Sequence, residues 1–314
     1  MLLLGLLVLS GGGELLVRGA SGLARALGIP ALIVGLTIVS MGTSAPELVV
    51  CVVAAARGES ALVLGNAVGS NIINVLVVLG VAAAICPVPI EWSRLKFDAG
   101  VMMAASVLLI ALCWDGLLAR ADAGALVLML ALYLWFTLMR ARRHSRDARN
   151  NESHPPTPRS RLLLYGAMIL VGLVGLTFGA RWMVDAAEYM ANEAGVSKTI
   201  IGLTILAGGT SLPELATFVT AAIHKNQELA VGNIIGSNIF NIFGIVGISA
   251  FIHPLSVDHQ LNTLHFPVML GAALLLCGVM YFGKKVSRTE GIGLLVAYAG
   301  YAGVLVWMTR GGAV

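Results

Sequence analysis

The chain has 314 residues, of which 58% are hydrophobic and only 11% charged, against roughly 45–50% and about 25% in ordinary globular domains. So few charges cannot solvate a water-soluble protein of this size, which excludes disordered, nucleic-acid-binding and disulfide-scaffold classes and leaves an integral membrane protein. The net charge of +4 does not point to nucleic acid, because seven of the 20 Lys and Arg lie between Arg140 and Arg161, as in a cytoplasmic loop.

A membrane-spanning helix needs about 20 apolar residues. Apolar stretches fall at 1–20, 31–56, 61–86, 97–114 and 123–140. After a polar, Pro-rich stretch, five more follow at 162–184, 198–223, 229–252, 264–282 and 291–308. The first lacks a basic leader and reads as an uncleaved membrane helix rather than a signal peptide. Ten spans put both termini on one side. With the termini outside, 15 Lys and Arg fall on the inner side and 5 on the outer. The positive-inside bias therefore places both termini outside the cytoplasm. The expected organisation is an N-terminal half (1–140), a cytoplasmic linker (141–160) and a C-terminal half (161–314). Cys51, Cys86, Cys113 and Cys277 show no metal-ligand spacing and read as free thiols.

The halves carry an internal duplication. Gly-Thr-Ser-x-Pro-Glu at 42–47 recurs at 209–214, and Gly-Asn-x-x-Gly-Ser-Asn-x-x-Asn at 65–74 recurs at 232–241. A constant offset of 167 aligns 31–87 with 198–254 without a gap, giving 26 identities in 57 positions. Five spans separate the copies, and an odd number inverts the second relative to the first. The expected fold is all-α and integral to the membrane: ten transmembrane helices as two inverted five-helix repeats, a common secondary-transporter design.

Glu47 and Glu214 are the two acids deep in apolar spans at matched positions. A carboxylate there is costly and marks function by default, the alternative being a structural carboxylate bonded between helices. Glu14 contrasts with them, since an i,i+4 ion pair with Arg18 explains it. Pro46 and Pro213 precede each Glu, and proline removes a backbone hydrogen bond. With Gly42 and Gly209 a turn upstream, helices 2 and 7 are expected to break at Gly-Thr-Ser-x-Pro, exposing carbonyl oxygens that only a cavity tolerates. A simple kink capped by its own Thr and Ser is the competing reading. Thr43, Ser44, Thr210 and Ser211 fall in the broken turns. Ser70, Asn74, Ser237 and Asn241 add oxygen on the following helix, while Asn66 and Asn233 also fit polar glue between helices. This all-oxygen inventory suits hard cations, calcium above magnesium. Two carboxylates neutralise one calcium or two sodium ions, which implies coupled cation antiport.

At these doubled motifs the sequence closely resembles the cation/calcium exchanger superfamily, and in particular prokaryotic sodium/calcium exchangers. The resemblance implies Glu47, Glu214, Thr43 and Thr210 as calcium ligands. It implies Ser44, Ser211, Ser70 and Ser237 as sodium ligands beside the same Glu pair, with backbone oxygens near Ser40 and Ala207. It also implies that spans 1 and 6 slide past the rest. Potassium-dependent relatives carry Asp where this chain has Asn241, so potassium independence is expected. The implied function is Na+/Ca2+ antiport at a midplane site of a cell (inner) membrane, with the ions as cargo and no resident cofactor. The lipid bilayer is the one obligatory partner; no nucleic acid or protein partner is implied. A Ca2+/H+ antiporter, a potassium-dependent exchanger and a cation channel are the alternatives. An intramembrane hydrolase using Ser44 or Ser211 lacks a base, since no His lies in the matched motifs.

Overall fold

The computed structural model describes residues 1–151, 158–193, 207–283 and 285–310. In chain order the helices are α1 (Leu2–Leu27), α2 (Ala31–Thr43), α3 (Ala45–Ala56), α4 (Ser60–Ile85), α5 (Trp92–Leu112) and α6 (Arg120–Asn151). There follow α7 (Arg159–Glu193), the short α8 (Ala207–Gly209), α9 (Leu212–Ile223), α10 (Gln227–Ile252), α11 (Leu261–Phe282) and α12 (Arg288–Arg310). Among the described residues eight are long and apolar enough to cross a membrane, and α2 with α3 makes a ninth span bent by 47°. α9 is apolar but shorter. The expected start of the seventh span and of the second repeat, 198–206, and linker residues 152–157 lie outside the described residues.

Burial orders these helices around a centre. The apolar windows of α10 and α4 are 89% and 72% buried, against 11–39% for the other spanning helices. The outer helices instead expose Leu132, Trp135, Leu163, Leu170 and Val296, an apolar surface that lipid rather than water can cover.

Lipid tails supply no hydrophobic force between helices, so close packing at small residues does that work. α1 runs antiparallel to α7: Gly5 lies against Gly179, Gly12 against Gly172 and Gly19 against Tyr165. A Cβ added at Gly12 would come within 2.6 Å of the Leu176 backbone nitrogen, and one at Gly172 within 2.6 Å of that of Leu16. The central crossing of α2 and α10 works the same way. Cβ atoms built at Gly35 and Gly236 would lie 2.5 Å from the Leu229 carbonyl oxygen and 2.6 Å from that of Leu36.

Several boundaries differ from expectation. α1 continues to Leu27, where Gly28 (φ 64°) ends it and the Ile29 amide donates to the Ala24 carbonyl at 3.0 Å, the left-handed helix stop. α6 runs on through Asn151, so the first half of the expected linker is helical. Its Arg-rich end leaves the apolar layer without leaving the helix, and the Ser145 hydroxyl ties it to the Leu27 carbonyl at 2.8 Å. Two-residue strands interrupt the all-helical pattern: β1 (Val88–Pro89) pairs with β4 (Lys285–Val286), and β2 (Leu117–Leu118) with β3 (Leu255–Ser256). They join connections between helices far apart in sequence.

Candidate cation-binding site

The bend between α2 and α3 falls at Ser44 (φ −86°, ψ 7°), and its counterpart between α8 and α9 at Ser211 (φ −91°, ψ 5°). Pro46 and Pro213 sit in the first turn of the following helices, where a missing N–H costs nothing. Gly42 and Gly209 act differently from the helix-breaking role expected of them. A Cβ at Gly42 would lie 2.7 Å from Leu173, and one at Gly209 2.2 Å from Val184. These glycines let α7 approach; serine followed by proline makes the break.

Glu47 and Glu214 occupy the first turns of α3 and α9 and are each 1% exposed. A helix N-terminus favours negative charge. Yet the two carboxylates are like charges, and among the described residues neither joins an ion pair. The Ser44 hydroxyl donates to Glu214 Oε1 at 2.9 Å. Glu47 Oε2 and Glu214 Oε2 have no protein partner. Buried charge without compensation is strongly unfavourable, so this arrangement calls for a cation.

The remaining oxygens come from both repeats. Asn74 Oδ1, Asn241 Oδ1, Ser211 Oγ and Ser237 Oγ are buried without partners. With the Glu pair they make six oxygens: two carboxylates, two carboxamides and two hydroxyls. Asn74 and Asn241 each open a stretch of wider π-type turn, Asn74–Val78 in α4 and Asn241–Val246 in α10. Such turns recur at functional sites. Among the described residues no group of three His, Cys, Asp or Glu forms, and an all-oxygen set of this kind suits a hard cation.

Other expected residues take supporting places. Thr43 is buried and shares its hydroxyl between the Ser40 carbonyl and Asn233 Oδ1, both at 3.3 Å. Thr210 is half-buried beside the second break. Ser70 is turned along its own helix, donating to Asn66 Oδ1 at 3.3 Å. The Ser40 carbonyl, expected to be exposed by the break, instead accepts the Ser44 amide at 3.0 Å, because that turn closes before the chain bends. The Ser40 hydroxyl donates to the Thr37 carbonyl at 3.1 Å. Ala207 opens α8. A cavity of about 390 Å3, lined by Leu2, Val77, Met183, Val184 and Tyr298, reaches Ser211. All four cysteines are free thiols.

The sequence profile described as sodium/calcium exchanger protein matches residues 1–139 and 164–307. The chain belongs to the sodium/calcium exchanger family. Family membership makes it a multi-pass integral membrane antiporter of calcium and a second cation, not an enzyme. Its sequence is similar to inner membrane protein YrbG of Escherichia coli (strain K12), 35% identical over 312 residues that cover 98% of this chain and 94% of that one. It is also similar to sodium/calcium exchanger MaX1 of Methanosarcina acetivorans, 33% identical with 98% of both chains covered. Among solved structures, the sodium-calcium exchanger NCX_Mj, soaked with zero Na+ and Ca2+, superposes with a TM-score of 0.83. That match has 28% sequence identity over 97% of each chain.

Sequence reasoning missed three features of this exchanger. Asn71 and Asn238 were read only as part of a motif, yet their side chains bridge the two repeats (Asn241 to Asn71 at 3.0 Å, Asn74 to Asn238 at 3.2 Å). The period of three and four picked out the site face of each helix and passed over them. Asp98 is fully buried against Arg140 and Tyr133. The π-type turns carry no sequence signal.

Proposed function

We propose that the protein exchanges Na+ for Ca2+ by alternating access and without potassium. The observation that carries this reading is the set of six unpartnered buried oxygens drawn from both repeats, two of them from the uncompensated Glu47 and Glu214 carboxylates. In this reading Glu47, Glu214, Thr43 and Thr210 bind Ca2+. Na+ takes the same Glu pair with Ser44, Ser211, Ser70, Ser237 and the Ala207 carbonyl. Two negative charges match one Ca2+ or two Na+ at a time, so the cargoes compete for one charge pair. Asn74 and Asn241 are neutral, which leaves no third carboxylate for a potassium ion.

The scaffold is ten spans in two inverted halves of a cell (inner) membrane, with both termini outside and the linker cytoplasmic. Contacts between connections support this alternation. β1 with β4, Arg94 with Glu228, Arg288 with the Ile85 carbonyl and Ser145 with the Leu27 carbonyl join segments after an odd number of spans. β2 with β3, Arg120 with the Ile252 carbonyl and Ser60 with the Ser256 amide join segments after an even number. The cavity reaching Ser211 includes Leu2 near the N-terminus, so it opens outward in this topology. On the opposite side Gly13 of α1 packs on Ala216 and Thr220 of α9. The α1–α7 pair, zipped by glycine, is the body that moves between the two states.

The test is calcium-45 uptake into sodium-loaded vesicles holding the purified protein, with external potassium and the pH gradient varied independently. Uptake needing internal sodium, indifferent to potassium and pH gradient, and absent in Glu214→Gln is expected. Uptake driven by a proton gradient without sodium moves the protein to Ca2+/H+ exchange.

A further inference from the structure

Two methionines outside the ion site stand in matched places. Met102 lies on α5 and Met269 on α11, and their numbers differ by the same 167 that relates the repeats. A thioether sulfur accepts hydrogen bonds and cannot donate. The Asn238 amide nitrogen donates to the Met102 sulfur at 3.6 Å, and that of Asn71 donates to the Met269 sulfur at 3.9 Å. Asn71 also donates to the Asn238 backbone carbonyl at 3.3 Å. With their NH2 groups directed at acceptors, Asn71 and Asn238 present their Oδ1 atoms the other way. Asn71 Oδ1 accepts from Asn241 Nδ2 at 3.0 Å, and Asn238 Oδ1 accepts from Asn74 Nδ2 at 3.2 Å. The relay therefore ends, in both repeats, in a buried carboxamide oxygen with no protein partner: Asn241 Oδ1 and Asn74 Oδ1.

We propose that Asn71 and Asn238 are positioning residues that fix the flip of Asn241 and Asn74, so that the site presents oxygen rather than NH2 to the cation. This rests on the cation-site reading above. Turning Asn241 around would set its oxygen against Asn71 Oδ1 and aim two N–H donors at the ion. Turning Asn71 as well would set its oxygen against a sulfur and a carbonyl, two acceptors. Each flip is thus opposed by the next residue in the relay, and only one arrangement satisfies every donor. The crossing is reciprocal: each repeat orients the ligand of the other. It supplies two oriented oxygens without a third negative charge.

The experiment compares Asn71→Leu and Asn238→Leu, near-isosteric changes that remove the accepting oxygen, by equilibrium binding of calcium-45 to the purified protein. Size-exclusion chromatography checks the fold. Each variant is expected to weaken calcium binding by up to about tenfold, the upper end for one neutral hydrogen bond. Orientation is then made irrelevant, because a carboxylate offers oxygen either way. Asn71→Leu combined with Asn241→Asp should bind calcium within about threefold of Asn241→Asp alone, and Asn238→Leu with Asn74→Asp should mirror it. Wild-type affinity in the Leu variants, or no rescue in either double variant, overturns the proposal. Failure of the exchange reading shows elsewhere, as wild-type protein that binds no calcium or as Glu214→Gln that binds it unchanged.

Discussion

Ser44 donates its hydroxyl to Glu214 at 2.9 Å, across 170 residues of chain, although its own sequence would cap the helix it begins. Ser-x-x-Glu is the capping-box pattern, in which the serine bonds a backbone amide of its own first turn. Here α3 has no side-chain cap at Ser44, and α9 has none at Ser211. The local preference is overridden because the opposite carboxylate, buried and unpaired, is the stronger acceptor. The matched hydroxyl of Ser211 has no protein partner and borders the cavity. One side of the site is thus closed by a bond between repeats and the other is open.

That asymmetry separates the two serines in function. Ser44→Ala removes a hydrogen bond to a charged group, worth about 1.5–3 kcal/mol, and should lower the thermal midpoint as well as sodium-dependent uptake. Ser211→Ala breaks no bond within the protein, so protein stability should be unchanged while sodium-dependent uptake falls. Paired measurements of thermal unfolding and calcium-45 uptake check both. Equal destabilisation by the two changes would contradict the asymmetry.

The duplication, the broken helices and the Glu pair were legible because each rests on a short local signal repeated at a fixed offset. What the sequence hid needed partners from distant spans. Arg140 was counted among the loop charges, yet it turns back to Asp98. Periodicity placed Asn71 and Asn238 off the site face, and only the crossing of α4 with α10 shows what they hold. The helical extension of α6 was hidden for another reason: positional hydropathy reports where the bilayer ends, not where the helix does.

Asp98 and Arg140 show what a misread buried pair implies for stability. Both Asp98 oxygens lie 3.0 Å from Arg140 Nη1, the Tyr133 hydroxyl adds a bond at 3.1 Å, and the guanidinium stands over Phe97 at 5.4 Å. Removing one partner of a buried pair costs about 3–5 kcal/mol, whereas replacing both costs far less. Asp98→Asn or Arg140→Gln alone should therefore depress the thermal midpoint in detergent, and the double change should recover much of the loss. If the double variant is as unstable as the sum of the singles, the pair is not coupled.

The repeats offer a matched test of backbone strain. Gly58 (φ 76°) and Lys225 (φ 56°) occupy the same place 167 residues apart, both in the left-handed region. A side chain there costs about 1–2 kcal/mol, partly offset by the greater freedom of an unfolded glycine. Lys225→Gly should stabilise by roughly 0.5–1 kcal/mol, and Gly58→Ala should destabilise by a similar amount. Nothing near Gly58 would clash, since its added Cβ meets only His253 at 3.9 Å, so strain alone sets the sign. Thermal unfolding of the two single variants reads it.

The C-terminal part of α1 is fastened to the connection after α9 by two polar contacts. His224 Nε2 meets Glu14 Oε2 at 2.6 Å, and Asn226 donates to the Ser21 hydroxyl at 2.6 Å. Arg18 pairs with the other Glu14 oxygen, and Lys225 is the next residue in the chain. If α1 and α7 move together, both contacts must part before this side opens. His224→Leu and Asn226→Ala each remove one of the two contacts and should speed opening at this end of α1 while leaving equilibrium calcium affinity unchanged. Calcium-45 uptake compared with equilibrium calcium-45 binding reads the difference, and uptake unchanged in both variants would show that the clasp does not limit exchange.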